Sequence, residues 1–218
     1  MEYHRDFMDE DALLGTRVAV GGMWDYLGKF QLDFLIGKGL KPEHTLLDVG
    51  CGCLRGSLHF IRYLKKGHYW SSEISPNVLS VGQVYLRQAG LLDKDPHLTL
   101  TDDFGFEELV GQQFDFVQAF GVFTDMPPNS IRECFANLHK VLSIYGAFHA
   151  TFVSDAKFVG DPVLIDFRYP LECFRDLCVP NGYSVKIVEP FDHPKNHTMI
   201  EVRRDPLSIY AHPCVPQR

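Results

Sequence analysis

The stretch Leu46-Leu47-Asp48-Val49-Gly50-Cys51-Gly52-Cys53-Leu54-Arg55-Gly56 decides the reading of this chain. An apolar run ends in an acid, a glycine-rich turn follows at once, and Leu58, Ile61 and Leu64 then recur at helical spacing. Strand, turn and helix in that order make a nucleotide-binding corner, where backbone lacking a Cβ approaches a ligand closely. Asp48 sharpens the reading. At that position, two residues before the first glycine, dinucleotide-binding corners usually carry an apolar residue, because the strand end is buried and a pyrophosphate must fit. A carboxylate suits a ligand with positive charge, a sulfonium or an ammonium, and points to S-adenosylmethionine rather than NAD.

Outward from the corner, elements alternate. Upstream, Trp24, Leu27, Phe30, Phe34 and Leu35 predict a helix over 24–40, preceded by a loosely structured arm. Downstream the pattern predicts a strand at 68–73, a helix at 76–90 opened by Pro76 and closed by Gly90, and a strand at 97–101. Phe114 to Phe120 is near-continuously apolar, as a central parallel strand should be. A helix from Pro127-Pro128, a strand at 147–153, an irregular stretch over 154–168 and a helix at 170–179 follow. The closing strands, 184–188 and 197–203, are too close in sequence for a crossover and form an antiparallel hairpin. Alternating strands and helices predict an α/β fold with a parallel sheet, built as a single domain over 1–218.

In such a sheet, ligands bind outside the carboxyl ends of the strands. Those tips carry Asp48 with the glycine turn, then Glu73, Asp102-Asp103-Phe104, Phe120-Gly121-Val122-Phe123-Thr124, and Ser154-Asp155. Glu73 suits the two hydroxyls of a ribose, or else caps the helix that begins at Ser75-Pro76. The acids at 102–103 suit an adenine amino group, and Phe104 a ring contact.

Together these pieces resemble class I S-adenosylmethionine-dependent methyltransferases. The resemblance is carried by LLDVGCGCLRG, by HYWSSE ending in Glu73, by DDF at 102–104 and by FDFVQAFGVFTDMP at 114–127. Gly22-x-Trp24, Gln31, HFIRYL and a late His193-Pro194 are similar to a group of bacterial members with undefined substrates. It implies a Rossmann-like, seven-stranded, mostly parallel sheet in the order 3-2-1-4-5-7-6, with helices on both faces and an antiparallel terminal hairpin. Residues 1–40 would form an arm and helix covering the site. The cofactor would be S-adenosylmethionine. Gly50, Cys51 and Gly52 would approach its methionine portion and Asp48 its amino group. Glu73 would hold the ribose, Ile74 would lie against adenine, and Asp103 and Phe104 would contact the base. The backbone at Phe120 would meet the methionine end. The third glycine stands one residue late, at Gly56, which puts Arg55 near the methionine carboxylate or on a helix surface.

The acceptor is less legible. Its side should be built from the N-terminal arm, the loop after the fourth strand, segment 154–169 and the hairpin loop 190–197. These regions hold Tyr3, His4, Trp24, Thr124, Asp125, His149, Asp155, Tyr169, His193 and His197. The candidates for proton transfer are His193, His149, Tyr169 and Asp155, and a lone histidine is more often a structural hydrogen bonder than a base. Trp24, Phe104, Phe123, Phe158, Phe167 and Tyr169 suit a planar or apolar acceptor. Asp125 and Asp155 invite a metal, but Ala156-Lys157 replace the acid–amide pair of cation-dependent relatives, so no metal is expected. A net charge of −7 gives no footprint for nucleic acid or anionic membrane. Six cysteines without scaffold density, and no signal peptide or long apolar span, indicate a cytoplasmic protein. The expectation is a methyltransferase acting on O or N of a small molecule, with a homodimer allowed. The alternatives are a non-catalytic S-adenosylmethionine-binding partner subunit and an NAD-dependent oxidoreductase.

Overall fold

The computed structural model describes residues 22–101, 103–161 and 166–205. The expectations placed on the arm through residue 21, including Tyr3 and His4, and on Asp102 lie outside the described residues. The chain divides into two units, one ending at residue 102 and one beginning at Asp103.

In the first unit, α1 (Trp24–Gly37) precedes β1 (Leu46–Val49), α2 (Ser57–Tyr63), β2 (Tyr69–Glu73), α3 (Pro76–Gln88) and β3 (His97–Leu100). All four residues of β1 are buried, as the apolar run requires. It pairs in parallel with β2, and β2 with β3, so that Asp48 stands opposite Ser71 and Glu73 opposite Leu100. Helix α3 starts where the sequence says it should. Ser75 accepts the N–H of Val78 at 3.3 Å and Pro76 fills the first turn, where its missing donor costs nothing.

The second unit runs β4 (Phe114–Ala119), α4 (Pro128–Asn137), β5 (Leu142–Ser154), β6 (Val159–Asp161), β7 (Asp166–Tyr169), α5 (Leu171–Cys178), β8 (Tyr183–Ile187) and β9 (Thr198–Arg204). Strand β4 is parallel to β5; β9 is antiparallel to both β5 and β8. This is the expected parallel architecture with its terminal antiparallel pair. Two departures stand out. Strand β5 begins five residues early, because the register jumps from Phe114–Leu142 to Phe116–Ala147 and bulges out the exposed Ile144 and Tyr145. The stretch expected to be irregular holds a short hairpin instead, β6 with β7, and β7 pairs with the last two residues of β5. One face of this unit is filled by Phe123, Phe135, Phe148, Phe152 and Phe174, all fully buried with ring centroids 4.5–6.4 Å apart.

Candidate cofactor and active site

The glycine turn is held from three sides within the first unit. Gly50 and Gly52 have φ of +67° and +58°, backbone that side chains rarely adopt. The N–H groups of Gly50 and Cys51 both donate to the Ser72 carbonyl, at 2.8 and 3.1 Å. Behind the turn, Gly56 lies so close to the buried Gln31 of α1 that a Cβ would stand 1.8 Å from Gln31 Oε1. Any larger residue at position 56 would force the Gln31 side chain to move. Arg55, half-buried rather than on a surface, donates from Nη1 to the Gly22 carbonyl at 3.1 Å, and burial pulls its pKa down. Cys51 is buried, and burial with Asp48 nearby pushes its thiol well up, so it is a neutral apolar side chain.

Asp48 is buried, and its Oδ2 accepts hydroxyl hydrogens from Ser57 and Tyr69, each at 2.9 Å. Burial and the adjacent carboxylate hold the Tyr69 phenol well above its ordinary pKa, so it stays a donor. These two partners went unread in the sequence. A signal existed for Tyr69: it lies two residues before Ser71, the residue opposite Asp48, and so shares Asp48's face of the sheet.

Glu73 is 8% exposed at the tip of β2. Its Oε2 accepts the N–H of Gly52 and its Oε1 the N–H of Ser75, both at 2.9 Å. The two readings of this residue are therefore compatible. A carboxylate offers about four lone-pair sites, and two are taken, one on each oxygen, so each oxygen keeps one for a hydroxyl. Ile74, next along, is 61% exposed and presents apolar surface beside it. A rigid carboxylate, an apolar ledge, open backbone at two glycines and a second buried acid are a chemical fit for a positively charged nucleoside with a ribose diol.

In the second unit, exposed Asp103 turns back to accept the Gly105 N–H at 2.7 Å, and Phe104 is nearly buried, edge-on to Phe106. Phe120 ends β4 and meets Phe191 edge to face at 6.3 Å. The candidates for proton transfer are scattered. His149 is fully enclosed on β5, its Nε2 3.3 Å from Glu201 of β9 and its ring parallel to Phe116. Tyr169 is buried against Phe158 and Phe174, its hydroxyl donating to the Met126 carbonyl. The Nε2 of His149 and the hydroxyl of Tyr169 thus each face a partner inside the fold. Asp155 follows β5, half-buried, its N–H bonded to the Tyr169 carbonyl. His193 lies in the β8–β9 loop, stacked between Phe191 and His197. Of the rings expected at the mouth, Trp24 packs on Tyr85 in the first unit, and Phe123, Phe167 and Tyr169 are buried in the second. Among the described residues no group of three or more His, Cys, Asp or Glu is placed to hold a metal ion, and no helix is long and apolar enough to cross a membrane.

Residues 46–146 match the family model of the methyltransferase domain. No curated protein sequence matches the chain. Solved structures do. An S-adenosylmethionine-dependent methyltransferase from Clostridium acetobutylicum ATCC 824 superposes with a TM-score of 0.66 at 14% identity, covering 89% of this chain and 98% of its own. Magnesium protoporphyrin IX methyltransferase from Synechocystis PCC 6803, with bound S-adenosylhomocysteine, gives 0.65 at 15% identity over 92% and 98%. A glycopeptide N-methyltransferase complexed with S-adenosylmethionine gives 0.64 at 14% over 81% and 94%. At these identities the likeness shows the fold, and the family model adds the domain that contains the glycine turn. The chain therefore carries a methyltransferase-domain match over residues 46–146 and has the fold of the S-adenosylmethionine-dependent methyltransferases.

Proposed function

We propose that the protein transfers a methyl group to an oxygen or nitrogen atom of a small molecule by in-line displacement. The observation that carries the cofactor half is Glu73, locked by the Gly52 and Ser75 N–H groups with one acceptor site left on each oxygen. Bound there, S-adenosylmethionine supplies a methyl group already activated on a positive sulfur. The chain's own residues align and desolvate. Glu73 holds the ribose diol, the open backbone of Gly50 and Gly52 follows the methionine portion, and Ile74 covers the adenine. Asp48, kept in place by Ser57 and Tyr69, faces the amino group, and Arg55 is placed near the methionine carboxylate. Alignment of this kind can lower a barrier by about 7–11 kcal/mol, so the protein needs little further chemistry.

The acidic net charge supports a small-molecule acceptor over nucleic acid. The five cysteines among the described residues are free thiols, which supports a reducing, cytoplasmic setting. Calorimetry with S-adenosylhomocysteine tests the cofactor half: it binds the wild type, and Glu73→Ala weakens it at least tenfold. No binding to the wild type would overturn the reading. A donor-turnover screen across phenols, amines and carboxylates tests the acceptor half and separates an enzyme from a silent cofactor-binding subunit.

A further inference from the structure

Helices α4 and α5 and the β6–β7 hairpin, all in the second unit, border a cavity of about 180 Å³. Most of its wall is apolar. Ile131 of α4, Phe174 of α5 and Tyr169 of β7 line it and are buried, and Phe158, just before β6, lines it at 45% exposure. The Cys173 thiol completes the wall; burial raises its pKa, so it stands there as a neutral, soft sulfur. The hairpin side is held in place. The Phe167 N–H donates to the Thr124 carbonyl at 3.0 Å and the Tyr169 hydroxyl to the Met126 carbonyl, which fixes β7 against the loop before α4. An apolar cavity of about 150 Å³ accepts benzene, so a single six-membered ring fits here.

Two charges of opposite sign line the same cavity, Arg132 on α4 and Asp176 on α5, both exposed. Arg132 gives one N–H to Asn129 Oδ1 at 3.2 Å, a neutral partner on its own helix. The other charges on α5 near Asp176 are matched, since Glu172 pairs with Arg175 at 3.6 Å. Among the described residues, neither Arg132 nor Asp176 has an ion-pair partner, and the two do not pair with each other. A ring slot bordered by an unmatched cation and an unmatched anion complements a molecule that carries a ring and both charges. A monoanion gains at Arg132 and is repelled at Asp176, and a monocation meets the reverse.

We propose that this cavity binds a small aromatic zwitterion of the α-amino-acid type, ring inward, with its carboxylate toward Arg132 and its ammonium toward Asp176. The site is built by the second unit alone and does not depend on the methyltransferase reading. Apolar contact supplies most of the affinity, expected to be about millimolar for a ligand of this size. The two charges choose among ligands, each by up to about fivefold, because ion pairs at an exposed rim are weak.

The test titrates the full chain at low salt with L-phenylalanine, followed by ligand-observed NMR. Phenethylamine lacks the carboxylate, 3-phenylpropionate lacks the ammonium, and N-acetylphenylalanine amide lacks both. L-Phenylalanine is expected to bind about threefold or more tighter than each of them. Arg132→Gln erases the preference over phenethylamine, and Asp176→Asn erases that over 3-phenylpropionate. Phe158→Ala weakens L-phenylalanine about threefold or more. All three substitutions fall on exposed side chains, so the fold is retained, which circular dichroism checks. Bound L-phenylalanine also slows alkylation of Cys173 by iodoacetamide, which places the ligand in this cavity. No saturable binding of L-phenylalanine, equal binding of the singly charged controls, or unslowed Cys173 alkylation overturns the proposal. Equally tight binding of N-acetylphenylalanine amide overturns it too, because the cavity would then take an aromatic side chain from a polypeptide, a second copy of this chain included.

Discussion

At the scale of single residues, the site depends on a buried acid whose partners lie far from it in sequence. Asp48 reads from the sequence as a carboxylate at a strand tip; what keeps it there are Ser57 and Tyr69, 9 and 21 residues away. Local pattern cannot announce such contacts, because the Tyr69 bond exists only once β1 and β2 are in register and the Ser57 bond only once the helix after the turn is in place. Glu73 is legible on one side only: Ser75 lies two residues on, whereas Gly52 lies 21 residues back, as far as Tyr69 is from Asp48. Removing one hydroxyl from Asp48 leaves a buried charge with one donor fewer, and hydrogen bonds to charged groups contribute about 1.5–3 kcal/mol. Tyr69→Phe should lower stability by that amount, read as a shift in the urea midpoint with unchanged slope. An unshifted midpoint would show that the phenol packs without supporting the acid.

At the scale of elements, periodicity located most helices and strands, because their faces are cleanly apolar. It failed at β6 and β7. Three residues, Val159-Gly160-Asp161, are too few to show alternation, and the strand pairs only with another short one. The terminal hairpin was legible from the chain length between its strands, but its polar content was not. Glu201 of β9 is buried and accepts bonds from Lys186 at 3.0 Å and Arg203 at 2.7 Å, with His149 at 3.3 Å. The His149 bond, then Arg203 and Lys186, hold its carboxyl well below the ordinary 4.5 despite burial. A carboxyl depressed in the folded state stabilises fully above its unfolded pKa, and that contribution fades as pH falls toward the folded value. Glu201→Gln should therefore be less stable than wild type at pH 7, with the gap narrowing below about pH 4.5. Urea midpoints measured at pH 7 and in acid check this; a constant gap would mean that the carboxylate's charge is not what holds β5, β8 and β9.

For the whole molecule, ligand binding and folding are linked. A ligand that binds only the folded chain, at a hundred times its dissociation constant, adds about 2.7 kcal/mol. In a domain of this size each kcal/mol moves Tm by about 2–4 °C. Saturating S-adenosylhomocysteine should raise Tm by about 5–10 °C, and NAD should not; a shift with NAD alone would revive the oxidoreductase alternative. The family match begins at Leu46, the first residue of β1. Yet the turn after β1 takes its shape partly from α1, through Gln31 at Gly56 and the Gly22 carbonyl at Arg55. The shape of the turn thus depends on residues up to 24 positions upstream of the matched region. A relative with every glycine of the turn but a different first helix would inherit the signature without the grip.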